Sequence, residues 1–332
     1  MIIIVYNKNE RGNSMKAKYI IAISIIALVL LVPLVACNRE DVEKNKEVSI
    51  EEPIEYTREE IMKDFKNILK SKNEPIILVE FINDNIDKVE KKDAVEMIRA
   101  LESAQIEYIE KYTDEMFAED YQIELMGLED STSEGSLFLN IEKIDEIQNE
   151  NLKELLEKLK IGKYKLIALE GAFYPIIDYE ALKDYNKYLD EETKGYLDIK
   201  ALESNEPSII DAGIYISLDE LANRLIMVEV YIKNYPESIK HEELLRLYSN
   251  YLKLYLNGSD NSPIYNYEDN IILADVLNSY KKTAKNQDSV TGEIVGRYIE
   301  IIQENNNIID DNVLSKITEC HNKAIAELEE NK

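Results

Sequence analysis

Glycine, histidine, cysteine and tryptophan are all scarce in this chain of 332 residues, which holds ten, two, two and none of them. So few glycines leave little room for loops that wrap phosphates, and neither a phosphate-binding loop nor a dinucleotide fingerprint occurs. They also argue against the alternating strand–helix plan of two-lobed solute carriers. His241 and His321 stand alone, no zinc-ligand spacing and no serine triad pattern is present, and no metal or cofactor is expected. Bases are outnumbered, 39 to 66, for a net charge of −27. That sign argues against nucleic acid, anionic lipid or wall polymer as partners, and leaves cationic peptides, divalent cations or plain solubility.

One long apolar run is present. Tyr19 to Val32 is apolar apart from Ser24; Met15-Lys16-Ala17-Lys18 precedes it, and Leu34-Val35-Ala36 leads to Cys37, where charged residues begin at once. Charged start, apolar middle and small-residue exit are the anatomy of a secretory signal peptide. The ending Leu-Val-Ala-Cys resembles the lipobox of bacterial lipoproteins, and Met15–Cys37 as a whole is similar to their signal peptides. The resemblance implies cleavage before Cys37, a diacylglycerol on its sulfur and fatty acylation, palmitate included, of the new N-terminus. At ~0.8 kcal/mol per buried methylene, two or three chains make a durable anchor. The competing reading is an uncleaved signal-anchor helix, for which Tyr19–Ala36 is close to the shortest span of about 17 residues. Either way the body is expected on the extracytoplasmic face of the cell membrane, because the positive residues stay inside. A signal peptide starting at Met15 is complete, so residues 1–14 read as a mis-annotated start and are left out of fold reasoning.

Lys8, Arg11, Lys16, Lys18 and Glu10 precede Cys37; setting aside those four bases and one acid leaves 35 basic and 65 acidic residues, a net of −30. Cys320 then has no intramolecular partner, so no disulfide framework is expected. Its neighbour His321 diverges from it by about 100° on a helix, and the two cannot pair as nucleophile and base. A bland thiol is the expectation.

Residues 37–56 lack periodicity and read as a charged disordered tether, with a coil reach of ~25 Å. Thr57 and Glu60 fit a capping box, and Tyr56 with Ile61 a hydrophobic staple. Helices are expected at 57–69, 75–89 and from Asp93 past Met116, forming an N-terminal helical subdomain (57–126). A Gly/Ser/Asp-rich boundary at 127–136 separates it from a C-terminal helical domain (137–330). There, helices are expected at 151–159, 179–188, 191–203, 217–233, 239–256, 267–284, 289–304 and 311–329, with one short extended segment near 164–177. The expected fold is all-α, an irregular multi-helix bundle. Fifteen of the 22 tyrosines follow Glu170, and the expectation is rings buried at core edges with hydroxyls in water.

Three stretches carry candidate chemistry. Glu170–Tyr179 interrupts the helical pattern, and Glu170, Phe173, Tyr174 and Asp178 form a candidate binding groove; the alternative is a buried connector with Asp178 as a helix N-cap. Ala201-Leu202-Glu203-Ser204 is similar to the Glu-Ser at the catalytic acid of lytic transglycosylases, but the tetrapeptide also occurs at 100–103. Asn257, Ser259, Asn261 and Glu268 match calcium-loop spacing, with Ser262 where glycine is required. The expected function is therefore a membrane-anchored lipoprotein acting as a non-catalytic binding or scaffolding protein, with a protein or peptide partner in the envelope. The alternative is a wall-glycan hydrolase or transglycosylase using Glu203 or Glu170.

Overall fold

The structure is a computed structural model that describes residues 57–129, 137–139 and 141–330. The signal peptide, Cys37, the tether, Tyr56 of the expected staple and residues 130–136 of the boundary lie outside the described residues. Among the described residues there are twelve α-helices and three two-stranded antiparallel pairs, an all-α fold. None of the described helices is long and apolar enough to cross a membrane.

Helix α1 (Arg58–Lys70) opens with the expected capping box: the Thr57 side chain accepts from the Glu60 backbone, and Glu60 reaches back to the Thr57 N–H. Pro75 starts α2 (Pro75–Asn85), where its missing N–H costs nothing. Helix α3 (Lys91–Met116) begins two residues before Asp93. Asp93 does not open it; its buried carboxylate takes a bidentate grip from Arg58 of α1, and that hydrogen bond holds its pKa below the usual range. A further helix, α4 (Tyr121–Glu129), runs into the stretch expected as a boundary loop.

After α5 (Glu150–Ile161), capped by Asn149, the extended segment is a hairpin of β1 (Tyr164–Leu169) and β2 (Ala172–Ile177). Tyr164 pairs with Ile177 and Leu169 with Ala172. Glu170 and Gly171 turn the chain with φ of +50° and +75°, the doubly left-handed conformation that suits a tight hairpin. Both edges are covered. Leu137 and Leu139 bond to β1, and the Gln122 side chain of α4 both donates to and accepts from the Phe173 backbone. An unpaired strand edge is thereby avoided.

The rest is helical: α6 (Tyr179–Leu182), α7 (Glu191–Asn205), α8 (Leu218–Asn234), α9 (His241–Asn257), α10 (Ala274–Thr283), α11 (Val290–Glu304) and α12 (Asp311–Glu329). Two small hairpins interrupt it, β3 (Ile209–Ile210) with β4 (Gly213–Ile214) and β5 (Gly258–Ser259) with β6 (Ser262–Pro263). Helix α10 starts at Ala274, not at 267. Between them Asn266 Oδ1 accepts from Glu268 N and Asp269 Oδ1 from Ile271 N, local bonds that compete with a helix.

Helix α9 shows how the core is made. Leu244, Tyr248, Tyr251 and Tyr255 are all buried along one face, flanked by buried Leu245, Leu252 and Leu256. Its tyrosines lie deeper than the expected core edge. Tyr248 shares a hydrogen bond with Thr291 (3.0 Å), and Tyr255 with Ser279 (2.9 Å) and Thr283 (2.8 Å), so protein hydroxyls replace water. Burial drives the phenol pKa values upward. At its end Gly258 adopts φ +71°, and a Cβ there would come within 2.4 Å of the Ser262 carbonyl oxygen.

Helix α8 supplies a cap to α11 from a distance. Buried Glu229 accepts from the backbone N–H groups of Val290 (2.7 Å) and Thr291 (2.9 Å), from the Thr291 hydroxyl, and from Lys233. A carboxylate among free N–H groups at a helix start is favourable through both hydrogen bonding and the helix dipole. The residues on both sides of 130–136 share one hydrophobic core, with α3 against β2 and α2 against α5.

Candidate functional site

The most concentrated buried chemistry lies where α3, α6, α7 and the start of α9 meet. Glu102, with 4% of its side chain exposed, points inward from α3. Its carboxylate accepts from Tyr179 (2.8 Å), from Tyr196, and from Lys240 Nζ (2.7 Å). Lys240 also donates to Glu243 (3.2 Å) and to the Tyr196 hydroxyl (3.1 Å), with its ammonium 4.3 Å from the Tyr196 ring centroid. Lys200 closes the cluster by donating to Glu243 at 2.9 Å. Two carboxylates thus face two ammonium groups, with two phenols between them.

Burial pushes the Tyr196 and Tyr179 phenols far above their ordinary pKa, and the neighbouring carboxylates push the same way. Glu243 runs the other way: burial alone would raise it, but Lys200 and Lys240 outweigh that and hold it low. Both phenols therefore keep their protons near neutral pH, and Glu243 stays ionised. The adjoining cavity, lined by Arg99, Glu102, Thr193, Tyr196 and Lys240 among others, measures about 10 Å³. That is room for one water molecule and no substrate. The Thr193 hydroxyl lines it, and its oxygen is buried without a protein partner. The chemistry of this cluster is cross-linking of helices far apart in sequence.

A second polar centre contains Glu203. Arg224, 2% exposed, donates to Glu203 Oε1 (3.1 Å), Glu220 (3.1 Å), Ser208 Oγ (3.2 Å) and the Glu206 carbonyl (2.7 Å). The same Glu203 oxygen accepts from Tyr251 at 2.6 Å and from the Ser208 hydroxyl. Glu203 is the counter-ion of a buried arginine. The other Glu203 oxygen, Oε2, accepts among the described residues only from Ser208 N, at 3.3 Å.

The groove residues are not brought together. Glu170 sits exposed at the hairpin turn, and Asp178 lies at the far end of β2, where it accepts from Ala181 N (3.3 Å) as N-cap of α6 and pairs with Lys165 (3.4 Å). Six strand residues separate them, roughly 20 Å at the usual rise. Phe173 and Tyr174 point to opposite faces. Phe173 is buried in the core, whereas half-buried Tyr174 lies 5.3 Å from the ring of Phe117. The segment has the form of the connector alternative. Cys37 lies outside the described residues.

The calcium-like loop is spent on structure. Asn261 donates from its side chain to the Asp211 carbonyl (2.6 Å) and from its backbone to that of Ala212 (3.0 Å), tying the two small hairpins together. Among the described residues no three His, Cys, Asp or Glu side chains converge as metal ligands. Cys320 is buried, and desolvation raises its pKa; His321 bonds instead to Ser249 (2.8 Å), and desolvation lowers its own.

No family model matches this chain, and no curated protein or solved structure is significantly similar to it.

Proposed function

We propose that this chain is a lipoprotein held on the extracytoplasmic face of the cell membrane by lipid on Cys37, and that its helical body acts as a non-catalytic binding or scaffolding protein of the envelope. The observation that carries the reading is the apolar run ending in Leu-Val-Ala-Cys, followed by a charged stretch and then by a helical body from Thr57. A body displaced from the bilayer by such a stretch suits contact with other envelope proteins. Two placements support a non-catalytic role: Glu203 balances Arg224, and Glu170 occupies an exposed turn. Lipid attachment is tested by feeding cells an alkyne fatty acid and comparing wild type with Cys37→Ala. The variant should persist as an unlabelled precursor; equal labelling and processing would sink the assignment. Incubating the purified protein with wall sacculi tests the non-catalytic role, and release of soluble glycan fragments abolished by Glu203→Gln or Glu170→Gln would overturn it.

A further inference from the structure

The first helix after the proposed anchor carries four bases and three acids but gathers its lysines on one side, a stripe of charge opposite to that of the molecule. Lys63, Lys66 and Lys70 follow one another at three- and four-residue steps along α1 and are all exposed. Such spacing keeps them on one stripe of the helix. Lys66 reaches Glu96 at 3.4 Å across an open surface, while Lys63 and Lys70 form no ion pair among the described residues. Glu59 is the one acid on the stripe. Arg58, beside it, is already engaged by Asp93 and by Glu90 at 3.5 Å. The lysines border an open groove of about 430 Å³ with Met62 in its wall.

We propose that this lysine face of α1 docks onto the anionic headgroups of the membrane that carries the Cys37 lipid, a proposal that rests on the lipid-anchor reading. Two features select that occupant. Thr57, the N-cap of α1, follows residues 38–56 directly, so the chain leading from Cys37 enters the fold at this helix. Nineteen residues reach about 65 Å at most even when fully extended, so α1 stays near the bilayer, where local concentration makes weak contacts count. The second is complementarity of charge. The chain from Cys37 onward, with 35 basic and 65 acidic residues, carries −30 and is repelled at long range, but charges beyond a Debye length of about 10 Å at 0.1 M salt are largely screened. At contact, a bilayer meets the nearest lysines, each of which is drawn to an anionic surface. The consequence is an oriented body, with α1 against the membrane and the opposite side offered to partners.

The test uses the protein as processed by the cell, purified from membranes in detergent and reconstituted in vesicles of phosphatidylcholine, with or without about one-third phosphatidylglycerol, at low salt, where headgroup attraction is strongest. Flotation reports anchoring. Acetylation of individual lysines by a water-soluble reagent, read by mass spectrometry, reports docking, with exposed Lys281 of α10 and Lys285 just beyond it as internal references. Labelling of Lys63, Lys66 and Lys70 should fall at least about threefold on anionic vesicles relative to neutral ones, and recover in high salt. In Lys63→Glu/Lys70→Glu, a change confined to exposed positions, the protection of Lys66 should vanish. Protein that floats but labels equally on both vesicles overturns the docking and leaves the anchor standing. Equal protection on neutral vesicles by an added polyglutamate peptide assigns the face to an acidic protein partner and overturns the membrane. Protein that fails to float overturns the anchor and this proposal with it.

Discussion

Lys240 Nζ lies 2.7 Å from Glu102 Oε2, across 138 residues of sequence, and the two side chains are 16% and 4% exposed. Removing the cation leaves a buried carboxylate whose remaining partners are the two phenols. Lys240→Met should therefore cost about 3–5 kcal/mol, the penalty typical of an orphaned buried charge. Adding Glu102→Gln should restore a substantial part of it, since an amide keeps an acceptor for Tyr179 without the charge. Urea denaturation of the single and double variants decides; additive losses would mean that the pair is not coupled.

Arg224 poses a related problem, with the cation as the more deeply buried partner. Arg224→Met should strand Glu203 with Tyr251 and Ser208 as its only polar partners and destabilise the body by several kcal/mol. Glu203→Gln, which keeps an acceptor, should cost only about 1–3 kcal/mol. A melt in which the glutamine variant is as stable as wild type would remove Glu203 from the list of structural residues.

The hairpin supplies an internal control. Phe173→Ala should cost about 3–5 kcal/mol as a core truncation. Tyr174→Ala, on the half-buried face against Phe117, should cost about 1–2 kcal/mol, since fewer apolar atoms lose cover. Thermal melts of the two variants side by side test the assignment of faces, and equal losses would contradict it.

Acid should weaken the fold partly through Glu243. Its folded-state pKa lies below the ordinary value of 4.5 despite burial, because Lys200 and Lys240 stabilise the carboxylate. The unfolded chain then takes up that proton at higher pH than the folded one. The contribution of Glu243 is present above its ordinary pKa and is lost as pH falls from there through the folded value. Asp93, Asp219 and Asp310 are depressed too and act in the same direction. Glu243→Gln should flatten the decline of the urea midpoint below about pH 4.5 without abolishing it. An unchanged slope would show that Glu243 is not a stabilising anion.

What could be read from the sequence follows the range of the forces. The capping box at Thr57 acts within one turn, and the helices expected at 217–233 and 239–256 rest on patterns that repeat every three to four residues, so all three were visible. The 266–273 turn defeated the helical pattern because Asn266 and Asp269 offer the backbone another partner. The buried cluster was missed because residues 102, 179, 196, 240 and 243 share no local pattern. One signal was available. Ile98, Leu101, Gln105, Tyr112 and Met116 mark the inward face of α3, and Glu102 sits on it, buried. A carboxylate on an apolar stripe requires a cation from elsewhere, but nothing local says which one. The separation of the candidate groove residues has a related cause: alternation along β2 sends Phe173 and Tyr174 to opposite sides, as periodicity of two dictates once the strand is recognised.

Glu229 gives the C-terminal third a shared fate. Its carboxylate belongs to α8, yet it satisfies the first amides of α11. If α11 left, that acid would be stranded with Lys233 as its remaining partner in a cavity lined by apolar side chains. Swinging α8 away would leave bare amides at the head of α11. Neither helix can open cheaply without the other, despite the α9 and α10 segments between them. Amide exchange at the buried positions of α8 and α11 should accordingly report one opening free energy, and Glu229→Gln should split it into two.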